Sequence, residues 1–244
     1  MTPEELANRQ NHISDMIHRV ADQSGLATDD IYPIFDGICD EAGYLKSKLR
    51  VAWVLKEPYD DFDKKSGKPC GGGWSLVKDC FGKQDAWRNV IWQKIAYVMY
   101  GFNHNLKWED MDYIRDNHAM IDEMKSIAYI NLSKMPAYKS SNINVIDYNY
   151  KTFWMNVVAE QLKAYDPEVI VFGYTFGCMK ESFLNAVEET GFMESVGGWV
   201  RYWRYCDHKK KQILLDTYHP GRKGGNYVNS LIVALDKAFK ELKG

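Results

Sequence analysis

Three short, almost unbroken apolar runs punctuate the chain: Val51-Ala52-Trp53-Val54-Leu55, Ile127-Ala128-Tyr129-Ile130-Asn131-Leu132 and Val169-Ile170-Val171-Phe172-Gly173. Continuous hydrophobicity over so few residues predicts strands buried on both faces. Between them the spacing lengthens to that of helices. Thr2-Pro3-Glu4-Glu5 is a helix start, with a hydroxyl cap, proline in the first turn and Glu5 three residues after the cap. Leu6, Ile13, Met16, Ile17 and Val20 continue it along one face. Further helices are expected over about 30–42, 87–101, 110–124, 148–165 and 174–190. A last one carries Val228, Leu231, Ile232, Leu235, Phe239 and Leu242 at helical spacing. Strands alternating with helices predict a parallel sheet covered on both sides. The segments 199–206 and 211–217 flank Asp207-His208-Lys209-Lys210 and predict an antiparallel hairpin. The expected fold is α/β: a three-layer α/β/α sandwich with a central, mostly parallel sheet and an antiparallel C-terminal strand pair. One domain should span 1–244, with 1–48 a helical segment packed on it.

Composition narrows the function classes. The 244 residues are 45% apolar and 26% charged, enough for one substantial core. A net charge of −2 argues against a protein held to nucleic acid by general phosphate contacts, so any positive surface must be local. Five scattered cysteines form no C-x-x-C pair, which points to a reducing, cytoplasmic location and to neither a disulfide framework nor a zinc knuckle. The first residues are polar and acidic, unlike a signal peptide, and no apolar run approaches membrane-spanning length. No membrane partner is expected, and the chain is expected to be a monomer. Asp60, Asp61 and Asp63 lack the remaining positions of a calcium loop, so no metal site is predicted.

In open α/β sheets ligands bind beyond the carboxyl ends of the strands. Three polar clusters fall there: Lys56-Glu57-Pro58-Tyr59, Asn131-Leu132-Ser133-Lys134 and Thr217-Tyr218-His219-Pro220-Gly221. The loop 59–73 is long, charged and glycine-rich, as functional loops often are.

These same clusters carry a family resemblance. VAWVLKEPY (51–59) resembles the first motif of uracil-DNA glycosylases, an apolar strand ending in a form such as G-Q-D-P-Y. LLDTYHPG (214–221) resembles their second, a strand ending in H-P-S. GGGWS (71–75) sits where the family has a glycine and then a base-stacking aromatic, and AYINL (128–132) resembles the strand whose asparagine reads the uracil edge. DPEVIVFGYTFG (166–177) looks like the family's third strand and following turn. The resemblance spans about residues 50–243, in order.

It implies a DNA glycosylase-like protein, a hydrolase of base excision repair that acts without cofactor on DNA containing uracil or a damaged base. Glu57 would act on the water or the developing sugar cation, and His219 would stabilise the departing base. Trp74 would stack on the extruded base, Asn131 would bond its edge, Tyr59 would crowd one side of the pocket, and Lys56 would meet Glu57 or an anionic ligand. Arg222 and Lys223 would contact DNA. A Lys56–Glu57 pairing would lower the carboxylate's pKa. Departures from the family pattern are Leu55-Lys56 in place of a glycine-rich start and Gly221 in place of serine; no iron–sulfur spacing is present.

Plainer roles stand beside these. Glu57 alone reads as a solvated strand-end carboxylate, His219 as a loop histidine bonded to backbone, Asn131 as a turn cap, Trp74 as core, and Lys209-Lys210-Lys211 as a hairpin tip. The alternative functions are a non-catalytic module of the same fold that binds a nucleotide or base, and a hydrolase of small N-glycosides.

Overall fold

The computed structural model describes residues 1–81, 83, 85–138, 142–184, 194–207, 210–221 and 223–244. Arg222, the tip residues His208 and Lys209, and the expected helix beyond 184 lie outside them.

Helix α1 (Pro3–Gln23) starts at Thr2 with a complete capping box: the Glu5 amide donates to the threonine hydroxyl and the Thr2 amide to the Glu5 carboxylate. Its buried stripe of Leu6, Ile13, Ile17 and Ala21 is interrupted by Gln10. That amide takes the Ile38 N–H at 2.7 Å and donates to the Ile38 carbonyl at 2.8 Å, so it holds the edge strand β1 (Gly37–Ile38) by both backbone groups.

Strand β2 (Val51–Leu55) is buried at every position. Val51, Trp53 and Leu55 face one core with helices α3 (Val90–His104) and α7 (Gly225–Lys243). Ala52 and Val54 face a second, with α1, α5 (Met155–Tyr165) and α6 (Phe176–Leu184). Alternate side chains thus feed opposite layers, which is why the run has no polar face. The strands β5 (Ala128–Asn131), β6 (Val169–Gly173) and β9 (Lys210–Thr217) lie parallel to it. Strands β7 (Glu194–Val196) and β8 (Val200–Asp207) extend the sheet antiparallel, giving the order β1-β5-β2-β6-β9-β8-β7, while β3 (Phe62–Asp63) and β4 (Lys68–Pro69) pair antiparallel apart from it. This is the three-layer α/β/α sandwich with its antiparallel C-terminal strand pair.

Local expectations were corrected in two places. Residues 30–36 are extended rather than helical: Pro33 has no amide to give a helix, and the segment lies along Gly71–Leu76. There Tyr32, Gly73, Phe35 and Leu76 donate to Gly71, Pro33, Trp74 and Phe35 respectively. Only Glu41–Lys46 forms a helix there, α2. The segment 110–124 makes short 3₁₀ turns instead of an α-helix, the longest over His118–Ser126.

Candidate functional site

The chain leaves β2 for α3 on one face of the sheet, and leaves the adjacent β6 for α6 on the other. A crevice opens between such strands at their carboxyl ends. Lys56-Glu57 and Gly173-Tyr174 form its two sides. His219, two residues beyond the end of β9, packs its backbone close to β6 because Gly173 has no side chain. A Cβ there would meet the Leu55 side chain, Pro220 Cδ at 3.2 Å and His219 Cα at 3.8 Å.

Glu57 is 8% exposed, and neither carboxylate oxygen has a hydrogen-bond partner. Burial pushes its pKa up to about 7, while Lys56 pulls the other way without winning. The expected Lys56-driven lowering is therefore corrected. Successive side chains of an extended chain point apart. The Lys56 ammonium instead lies 5.0 Å from the centre of the Tyr174 ring.

Burial, then the charges of Lys56 and Lys223, push the His219 pKa down to about 4, so the imidazole is neutral at physiological pH. Its Nδ1 accepts the Gly221 amide at 3.3 Å. The single ring proton is thereby assigned to Nε2, leaving a hydrogen-bond donor on the far side of the ring. Lys56 acts electrostatically on both Glu57 and His219, so it ties the two strand ends into one charged neighbourhood.

Asn131 closes β5, opposite Leu55 in register, and its side chain is 1% exposed with Nδ2 unpartnered. Its backbone is held from both ends. The amide donates to Asp36 Oδ2 at 2.6 Å and the carbonyl accepts from Lys134 Nζ at 2.7 Å. Asp36 and Lys134 are themselves a fully buried ion pair at 2.8 Å, completed by Gln161. The sequence groups Asn131 with Lys134 at the strand end, but nothing in it marks Asp36 and Gln161 as their partners, because these lie far away along the chain.

Trp74 packs against the core face that includes Leu55. Its indole donates to Asp60 Oδ2 at 2.6 Å, an oxygen that also takes the Gly72 amide at 2.7 Å. The cavity Trp74 borders, about 250 Å³, is shared with Gln10, His18 and Asp36 rather than with His219. Glu57 thus follows β2 and His219 follows β9 with β6 between the two strands, Asn131 ends β5 on the other side of β2, and Trp74 turns toward α1. Tyr59 is 40% exposed and bridges to Ala137. Lys223 lies 4.8 Å over the Tyr218 ring.

Neither protein-family models nor curated proteins match the chain. Among the described residues no group of three or more histidines, cysteines or acids is placed to hold a metal ion, and all five cysteines are unbridged. No helix among the described residues is long and apolar enough to cross a membrane.

Proposed function

We propose that the protein hydrolyses the N-glycosidic bond of uracil or a related damaged base in DNA. What supports this function is two groups that Lys56 acts on together: an unpartnered carboxylate with its pKa raised to about 7, and a neutral imidazole with its proton on Nε2. The bond from C1′ to the base nitrogen breaks with its electron pair leaving on the base. His219 donates from Nε2 to the base oxygen where that charge gathers. Glu57, ionised, faces the sugar cation and takes the proton of the water whose oxygen bonds to C1′. The Asn131 amide supplies a donor to the base's polar edge, and Lys223 a cation for the strand.

Purified protein is expected to release free uracil from a uracil-containing oligonucleotide. Glu57→Gln and His219→Ala should each slow release by roughly 100-fold or more. Because Glu57 works ionised, the rate should climb through pH about 7. Protonation of His219 should cut it only toward pH about 4. Intact substrate under conditions where a control glycosylase cleaves would reject this function.

A second function, binding or cleaving a free nucleotide or nucleoside, is favoured by the two lysines that bear on His219, since they suit a small anion. Turnover of nucleosides without turnover of DNA would decide for it.

A further inference from the structure

Two cavities of about 490 and 440 Å³ meet at Tyr174, Arg201 and Asp216, beyond the carboxyl ends of β6 and β9. They form one groove that leads away from the Glu57–His219 pair toward β8. Its character differs from that pair's dry surroundings. Tyr174 and Tyr218 are 51% and 49% exposed, and Trp199 stands edge-on to Tyr218 at 5.6 Å between ring centres. Lys56 sits over Tyr174, and Lys223 over both Tyr218 and Trp199. Lys151, Lys180 and Arg201 line the remainder. The carboxylates in the lining, Asp147 and Asp216, are each matched by a cation already, Lys151 at 3.0 Å and Arg201 at 2.6 Å. Among the described residues the groove is therefore locally basic in a chain of net charge −2.

Tyr174 adds a second mark. Its φ of 65° puts a bulky side chain in the left-handed region, a conformation that side chains rarely adopt. The turn is held by the Tyr174 amide, which donates to Thr217 at 2.8 Å and to Phe172 at 3.1 Å. The effect is a ring held at the strand end with half its surface open, rather than folded into the α6 core with its neighbour Phe176.

Open rings alternating with cations are the requirements of a surface that stacks unpaired bases and tracks the backbone between them. A duplex keeps its bases stacked on each other and offers such rings nothing. We propose that this groove binds single-stranded DNA, with Tyr174 and Tyr218 as stacking platforms and Lys56 and Lys223 following the phosphates. This rests on the strand ends being where a DNA base is received, and it supplies the form of that DNA: an unpaired strand.

The test is fluorescence anisotropy with a labelled oligothymidylate of about a dozen nucleotides, single-stranded or annealed to its complement, at about 50 mM salt. The single strand should bind more tightly than the duplex. Tyr174→Asn keeps the left-handed backbone acceptable while removing the ring, and with Tyr218→Ala it should weaken binding by roughly 5- to 150-fold per substitution. Lys223→Ala should flatten the salt dependence by about 0.7 in log–log slope. Tighter binding of duplex, an oligothymidylate that does not bind, or tyrosine variants that bind like the parent would each overturn the proposal. The probe holds no uracil, so the outcome is separate from catalysis. Binding without uracil release sinks the glycosylase function alone, and release from duplex with no affinity for the single strand sinks the groove alone.

Discussion

Glu57 makes a thermodynamic prediction that needs no substrate. A carboxyl with its pKa raised from 4.5 to about 7 binds its proton more tightly folded than unfolded. Below pH 4.5 it is protonated in both states and is neutral in its effect. As pH climbs from 4.5 to 7 the unfolded chain ionises first, so folding loses free energy, and above 7 the loss is complete. At 1.36 kcal/mol per unit, the loss is about 1 kcal/mol at pH 5 and about 3 kcal/mol at pH 8.5. Glu57→Gln removes the titration. Gln leaves a polar amide in the same buried place, but that cost does not vary with pH and cancels between the two conditions. The variant should therefore gain about 2 kcal/mol on the parent between pH 5 and pH 8.5. With a urea slope of about 2–3 kcal/mol per molar, that is a relative midpoint shift of roughly 1 M. Urea unfolding of both proteins at the two pH values measures it. A variant-minus-parent difference that stays constant between them means that Glu57 is not a desolvated carboxylate, and its proposed role goes with it.

Two other substitutions probe the supports of the site. Lys134→Met leaves the Asp36 carboxylate at 0% side-chain exposure with its two neutral donors but no counter-ion, and should cost about 3–5 kcal/mol. Adding Asp36→Asn should recover much of that in the same urea assay, and a double variant as weak as the single would contradict the pair's isolation. Gly173→Ala forces a methyl against Leu55 and Pro220 beside His219. Uracil release should fall by roughly 10-fold or more while the unfolding midpoint drops by no more than about 1–3 kcal/mol equivalent; unchanged release would show that the approach of the two strand ends is not critical.

The parallel strands were legible because burial on both faces leaves no room for polar positions, as at Val51–Leu55. The start of α1 was legible because its capping groups are adjacent in the chain. What depends on distant partners was not. The 30–36 segment carries apolar residues at a spacing a helix would accept, yet its amides are claimed by Gly71–Trp74. Asp36 and Lys134 look like ordinary surface charges until the fold closes around them. At the site, the residues that end β2, β5 and β9 were readable from strand ends and motifs. The sign of the Glu57 shift was not, since adjacency to Lys56 suggested pairing while the geometry sends the two side chains to different neighbours. Tyr174 left a trace only as an aromatic after a glycine, and nothing in its letter announces a positive φ.

The position of β6 between β2 and β9 has a kinetic consequence. Glu57 and His219 follow strands that only β6 joins, and β6 is itself made after β5 and before β9. The crevice therefore cannot exist in any partly folded species that lacks β6 or β9, however well formed its first half is. Contacts so remote in sequence are slow to close. A chain emerging from synthesis therefore carries its first strands long before it carries a reactive centre.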